Sequence, residues 1–524
     1  MTTVERFRGF SDIRVELVAA IGRPYELSVA TARTCYSGRG VIFPDEVSKD
    51  EKASALRDRI ADSTREAGHL TTRQHAHFVF AISGISRQCL WSFLHSHPFY
   101  NSEQVSQRYV RVRPDGFLAP PLPESAQRVF HDAAVAQMQD YEALIGALRE
   151  QLAADYFERF PARKRLPEKW SPSIDKRAYE VARYVLGVGT TAYLYHTVSA
   201  LTLMRLARLT RFFDVPQEQG IVVGAMLDRV RELDPLFEKD LEDPFPLERT
   251  PEYLAVQEAS ERAGDGAFAR EFDEGLGGRI SRLVAHTHRA EETLAAAVRT
   301  TLARRTAEMS DTDAISLVLD PTKNPVLADT LNLSMQDRLC QSLHHVHFAF
   351  HKKLSHAADS QDQRHRMVPA SRPVMRLHFT GEPDVVTPFG VTQSPMAREI
   401  FESSTRRSFA AVGRLLEMGV PEEHAFYLLP NAVAIRMVSS GDLLAHHHKW
   451  KLRTCYNAQE EIFRASVEEV RQVGELFPRL GEHLRAPCYL RLRAGTKPYC
   501  PEGERFCGLP VWKYGLEQYQ RKSL

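Results

Sequence analysis

The chain repeats itself. Leu17-Val18-Ala19 followed by VATARTCY (Val29 to Tyr36) returns as Leu283-Val284-Ala285 followed by AAAVRTTL (Ala295 to Leu302). HAHFVF (His75 to Phe80) returns as HVHFAF (His345 to Phe350), and EVARYVLGV (Glu180 to Val188) as EHAFYLLPN (Glu423 to Asn431). Three matches in one order make a tandem duplication of a unit of about 250 residues, too long a period for a solenoid. The expected division is unit one over 1–250, a junction rich in Glu, Ala and Gly over 251–278, and unit two over 279–524.

The most informative stretch of unit one runs from His75 to Val110. Phe78, Phe80 and Ile82 alternate with the period of a half-buried strand. Gly84 breaks the alternation, and a helical run then carries Arg87, Cys89 and Trp91 toward His95. The stretch closes on Gln104, Ser106, Gln107 and Arg108. Hydroxyl and guanidinium groups can share the oxygens of a phosphate, so this ending suits a phosphate-bearing ligand.

Composition bounds the class. A chain of 524 residues has room for two or three domains with ample core. Its net charge of +1 gives no nucleic-acid footprint. The first residues are charged and lack an apolar signal core, and no apolar run approaches the roughly 20 residues of a membrane helix. Seven cysteines in such a length do not make a secreted disulfide framework, so reduced thiols in the cytoplasm are expected.

The motifs resemble those of the flavin-dependent thymidylate synthases. That family reads H-x-x-F-x-F-x-I, G-I-S-R, R-H-R and then S-x-R-Y. Unit one has His75, Phe78, Phe80 and Ile82, then Gly84-Ile85-Ser86-Arg87, and later Ser106-Gln107-Arg108-Tyr109, but His95-Ser96-His97 stands at the R-H-R position. Arg183 matches a nucleotide-contacting arginine, while Ser199-Ala200-Leu201 replaces the N-A-R that helps hold the flavin. His69 and Thr71 match a pattern that touches the flavin. Unit two has the complementary set: Gln361, an intact Arg364-His365-Arg366, and LRTCYNAQEEI with Arg453 at the closing nucleotide-arginine position. It has no S-x-R-Y after Ser371-Arg372, and Phe426 stands where unit one has Arg183.

The resemblance implies an α+β fold of two tandem units, each a small, mostly antiparallel sheet flanked by long helices. It implies reductive methylation of dUMP or a related pyrimidine nucleotide, with FAD as cofactor and methylenetetrahydrofolate and NADPH as co-substrates. The cofactor set carried over is His69, Thr71, Arg87, Arg364, His365 and Arg366, and the substrate set is Gln104, Ser106, Arg108, Arg183, Gln361 and Arg453. Arg453 and Arg364 are the candidate catalytic residues. Family sites form where subunits of a tetramer meet. A homodimer making a pseudo-tetramer is therefore expected, with one composite cleft lined by Arg108, Arg183, Arg364 and Arg453. No membrane or nucleic-acid partner is expected. Two other readings stay open: a silent homologue that binds nucleotide or flavin, and a different flavin-dependent one-carbon transfer.

Two further groups carry possible chemistry. Cys455, Cys488, Cys500 and Cys507 give four thiols in unit two, two of them on a Pro/Gly turn, as in zinc knuckles; a structural zinc competes with free buried thiols. His446-His447-His448 point in different directions on a helix, so a packed or exposed role is expected rather than a metal.

Overall fold

The computed structural model describes residues 7–96, 98–212, 215–241, 246–260 and 266–521. The expected α+β architecture is present. In the first repeat, β1 (Arg14–Ala20), β2 (His77–Ser86), β3 (Asn101–Gln104) and β4 (Thr191–Ser199) form an antiparallel sheet in the order β1-β2-β4-β3. In the second, β5 (Ser281–His286), β6 (His347–Ser355), β7 (Ala370–Ser371) and β8 (Ala434–Asp442) repeat it in the order β5-β6-β8-β7.

The registers agree residue by residue. Leu17 pairs with Phe80 and Leu283 with Phe350, and in each case the register slips at the next residue, between Leu17 and Ala19 and between Leu283 and Ala285. The same bulge in both copies is a feature inherited by duplication. One difference is local. Gly84 adds a residue to β2 that β6 lacks, with φ +76°, and a Cβ there would lie 2.8 Å from the Asp12 carbonyl oxygen. Only glycine suits that position.

Alternation decides which side chains enter the core. Phe78 and Phe80 are buried with Val198, Leu203, Val222 and Met226. Phe348 and Phe350 are buried with Leu443, Trp450, Val470 and Val473. The equivalent phenylalanines thus lie on equivalent central strands.

The compact units do not follow chain order. One comprises residues up to 136, 187–263 and 410–429; the other comprises 137–186, 264–409 and 430–524. Each therefore contains a segment of the other repeat. In the first unit Val188 N–H donates to the Leu429 carbonyl and Gly189 N–H to that of Tyr427, both at 2.8 Å. In the second, Asn431 N–H donates to the Leu186 carbonyl at 2.8 Å and Ala432 N–H to that of Tyr184 at 2.9 Å. The junction expected over 251–278 includes the helix Ala267–Leu276, and part of it lies outside the described residues. Among the described residues no helix is long and apolar enough to cross a membrane.

Since Phe80 and Phe350 occupy equivalent, fully buried places, Phe80→Ala and Phe350→Ala should each cost about 3–5 kcal/mol of stability in urea unfolding. A loss below about 1 kcal/mol at either position would contradict the packing described.

Candidate functional site

The second unit holds a chain of buried charges beneath its signature helix. Lys352 lies on β6 in the alternation that buries Phe348 and Phe350, so its ammonium is carried into the core. There it meets Glu469 Oε1 at 2.5 Å, and Trp450 Nε1 donates to the other carboxylate oxygen at 2.7 Å. Lys449 and Arg453 are four residues apart on the helix Leu443–Arg453 and share a face. Lys449 Nζ reaches Asp362 Oδ2 at 2.6 Å, and Arg453 Nε donates to His365 Nε2 at 2.8 Å. A second guanidinium nitrogen of Arg453 donates to the Gln361 carbonyl at 3.4 Å.

The local chain explains this arrangement. Ser355 caps the helix His356–Asp362, accepting from Ala358 N–H at 3.0 Å. After that helix, His365 N–H donates to the Asp362 carbonyl at 2.9 Å, a turn that buries His365 and leaves Arg364 exposed, with Arg366 half-buried.

The electrostatics follow. Burial alone would raise Asp362, but Lys449 and Lys352 overcome it and hold the carboxyl far below its usual range. Glu469 is likewise brought down to about 2 by the two lysines against the desolvation of burial. Burial and the Arg453 charge push His365 well below the usual imidazole range. His365 is therefore neutral, and the Arg453 contact assigns the lone pair to Nε2. Lys352, Lys449 and Arg453 outnumber the two carboxylates, before Arg364 and Arg366 are added. This pocket of charge suits an anion.

The first unit has the same backbone without these charges. Ser86 caps the helix Arg87–His95 as Ser355 does in the second unit, and β4 runs into Ala200 as β8 runs into Leu443. On that register Ile82 stands for Lys352, Phe93 for Asp362, Leu206 for Lys449 and Thr210 for Arg453. Ile82, Phe93 and Leu206 are all buried in the apolar core.

The remaining candidates of the first unit are placed as follows. Arg87 donates to Gln104 Oε1 at 3.1 Å and to the Val105 carbonyl at 2.8 Å, which ties β3 to the signature helix. Ser106 Oγ accepts from Arg108 N–H at 3.3 Å, and the buried Arg108 guanidinium lies 5.2 Å from the Tyr109 ring centroid. Gln107 donates to Thr190 Oγ1 at 2.9 Å. His69 and Thr71 are exposed at the head of the turn Leu70–His75. Gln104 also borders a groove of about 480 Å³ on the open sheet face, lined by Arg14, Glu16, Glu103, Tyr193 and Tyr195. The second unit covers the same face with the helix Ala267–Leu276, whose Phe272 stacks on His351 and whose Asp273 pairs with Lys353 and Arg436. His97, at the altered R-H-R position, lies outside the described residues.

Arg183 belongs to the same compact unit as Gln361, Arg364, His365, Arg366 and Arg453, because the segment 137–186 joins that unit. Its carbonyl accepts from Asn431 Nδ2 at 3.1 Å. Arg372, which follows Ser371 in the second unit, is gripped at both ends by buried Asp359 at 2.8 Å. It directly follows β7, where the continued register matches Gln104 at the end of β3, and it is already neutralised. The sequence reading missed Lys352, Lys449, Asp362 and Glu469. A lysine on the core-facing register of HFAFHKKLS was the available signal.

Zinc is not supported. Among the described residues, no three His, Cys, Asp or Glu side chains form a group that could hold a metal ion. Cys455, Cys488, Cys500 and Cys507 line one small cavity as free thiols, packed beside Tyr456, Phe463 and Val511. Burial pushes Cys455 and Cys488 up to about 12, so they stay protonated at neutral pH. His446 and His447 are buried and held down at about 3, chiefly by desolvation, and His446 stacks on Trp450 at 4.7 Å. Their role is packing.

The two units suggest a direct test. Lys449→Leu alone removes the cation bonded to Asp362 and should cost about 3–5 kcal/mol. Adding Asp362→Phe copies the first unit's pair, Leu206 and Phe93, and should recover most of that loss. Equal instability of the single and double variants in urea unfolding would contradict the pairing.

Comparison with known proteins gives a concordant result. A family model described as thymidylate synthase complementing protein matches twice, over residues 16–236 and 282–479. The flavin-dependent thymidylate synthase of Geobacter sulfurreducens is 34% identical over 170 residues, 32% of this chain and 70% of its own length. That of Clostridium tetani is 25% identical over 226 residues, 43% of this chain and 84% of its own length. That of Nitratidesulfovibrio vulgaris is 31% identical over 186 residues, 34% of this chain and 72% of its own length. With both repeats matched, and with the same sheet and signature helix in each, the chain belongs to the flavin-dependent thymidylate synthase family as a tandem duplication.

Proposed function

We propose that the chain is a flavin-dependent enzyme of the thymidylate synthase type. Its substrate is dUMP or a related pyrimidine nucleotide, its one-carbon donor methylenetetrahydrofolate and its reductant NADPH. The observation that carries this reading is the surplus of positive charge around Asp362, Lys449, His365 and Arg453, next to the exposed Arg364. Both ligands are anionic, and the family to which the chain belongs is flavin-dependent by name.

FAD supplies the hydride chemistry when bound. The protein's own residues bind, orient and exclude water. Arg364 and Arg366 flank buried His365 and are suited to a diphosphate, with His69, Thr71 and Arg87 as further flavin contacts. Arg453 is held by neutral His365 beside the Arg364-His365-Arg366 turn, where it can stabilise charge developing on a pyrimidine carbonyl. Gln104, Ser106, Arg108, Arg183 and Gln361 serve the nucleotide. Two chains pair as a homodimer in a reducing, cytoplasmic setting.

The second reading, a silent homologue, is favoured by one observation: in the first unit the positions of Lys352, Asp362, Lys449 and Arg453 are held by the uncharged Ile82, Phe93, Leu206 and Thr210. Titration of the full chain separates the two. Purified protein mixed with FAD should keep the visible flavin bands after free flavin is removed by gel filtration, and should bind dUMP. Arg364→Ala should weaken FAD binding and Arg453→Ala should weaken dUMP binding, each by about 1.5–3 kcal/mol, roughly 10- to 150-fold. If wild-type protein binds neither ligand, the silent reading stands and the enzyme reading falls.

A further inference from the structure

One carboxylate in each unit sits at the root of the signature helix, and each is completed by a tyrosine from the other repeat. In the second unit Glu461 accepts from Ser355 N–H at 2.5 Å, from Ser355 Oγ at 2.7 Å and from the Tyr184 hydroxyl at 2.6 Å. Gln459 Nε2 donates in turn to the Tyr184 oxygen at 2.5 Å, and the Gln459 side-chain oxygen caps its own helix by accepting from Ile462 N–H at 3.0 Å. In the first unit Glu218 accepts from Ser86 N–H at 2.6 Å, from Ser86 Oγ at 2.5 Å and from the Tyr427 hydroxyl at 2.5 Å. Tyr184 and Tyr427 occupy the same place in the two copies of the third repeat match. The two carboxylates, the two serines and the two tyrosines are all buried. A polar cluster kept in both copies, after the neighbouring charges diverged, is more than a packing accident.

The serines are the joint. Ser355 Oγ donates to Glu461 and accepts from Ala358 N–H, so the carboxylate acts on the helix His356–Asp362 through its N-cap. That helix carries Gln361 and Asp362, and the turn after it presents Arg364, His365 and Arg366. We infer that Glu461, with Tyr184 lent by the first repeat, is a positioning residue that sets the ligand-binding turn of the second unit and makes its ligand affinity depend on pH near neutrality. This inference rests on the flavin reading for its ligand but not for its structural consequence.

Proton bookkeeping gives the sign. The ionised carboxylate uses three donors and offers none. A protonated Glu461 must place its own hydrogen on the Tyr184 or Ser355 oxygen. That hydroxyl must then turn its own hydrogen away from the carboxyl, so one of the three bonds is lost and the cap loosens. Burial pushes Glu461 up to about 7 against the hydrogen bonds of Tyr184 and Ser355, which leaves both forms accessible near neutral pH. The charged and titratable groups around it are Glu460 on its own helix, Tyr184 and Arg183 on the lent segment, and His356 and Asp359 on the capped helix. Tyr184 is itself held well above its usual range by burial and by Glu461, so it does not titrate near neutral pH, and Asp359 is paired with Arg372. Binding that favours the ionised form must strengthen as pH rises through 7.

Two measurements on the full chain test this. The first is hydrogen exchange of the amides of residues 356–362 in flavin-free protein at pH 8 and pH 6, corrected for the intrinsic pH dependence of exchange. Protection should fall at pH 6, and in Glu461→Gln it should be low at both pH values, because an amide keeps one oxygen for the Ser355 N–H but brings N–H donors against the Ser355 and Tyr184 hydroxyls. The second is FAD titration, in which wild-type affinity should fall about threefold to tenfold from pH 8 to pH 6. Glu461→Gln should bind weakly with no such slope. Tyr184→Phe, which keeps the ring and removes one donor to the ionised form, should move the midpoint upward. Unchanged protection in Glu461→Gln, or an unmoved midpoint in Tyr184→Phe, overturns the inference. Should protection respond as described while FAD fails to bind at any pH, the positioning role stands and the flavin reading is what falls.

Discussion

The second unit is organised by a lysine that its strand register forces inward. Lys352 cannot reach water from the core face of β6, and an unpaired ammonium there would be strongly penalised. Glu469 supplies the counter-charge, and Trp450 holds the second oxygen of that carboxylate. Asp362 and Lys449 extend the cluster toward the surface, where it ends at His365 and Arg453. A chain of buried pairs contributes little net stability. What it provides is a fixed frame: Arg453 cannot swing while His365 accepts from it, and His365 sits on a turn held at both ends by backbone bonds.

The duplication displays the alternative solution. In the first unit the same backbone positions carry Ile82, Phe93 and Leu206, which pack without any charge to balance. Replacing a buried ion pair by apolar residues of similar volume is often neutral or better for stability, so the first copy gives up nothing as a scaffold by having apolar residues there. The copies diverged where a ligand would be held and stayed alike where the fold is held: the bulge after Leu17 and Leu283, the paired phenylalanines, and the serine caps with their buried carboxylates. The exchange of segments 137–186 and 410–429 binds each repeat to the other's core, so neither copy could diverge as a whole without disturbing its neighbour.

Much of the fold was legible in the sequence because strand alternation is a local rule. Phe78, Phe80 and Ile82 announce an inward face, and their echo at Phe348 and Phe350 announces the second copy. The candidate residues Arg364-His365-Arg366 and Arg453 were legible as motifs, and Arg453 and His365 do meet. Residues acting through long-range partners were not. Glu461 and Tyr184 are 277 positions apart, and no local pattern says that a tyrosine of one repeat completes a carboxylate of the other. Lys449 and Asp362 carry no motif in the sequence, and they meet only because the helices Leu443–Arg453 and His356–Asp362 bring them together. The cysteines misled in the opposite direction, since four thiols, two of them on a Pro/Gly turn, share a small cavity without forming a metal-binding group among the described residues.

Replacement of a pyrimidine C5 hydrogen by a carbon unit must release that hydrogen, which makes turnover visible without any assumption about the flavin's route. Purified full-length chain should be supplied with dUMP tritiated at C5, methylenetetrahydrofolate, FAD and NADPH, and the tritium appearing in water should be counted. The account predicts folate-dependent release by the wild-type chain and its near-complete loss in Arg453→Ala. Absence of release by wild-type protein that has bound both FAD and dUMP would contradict it.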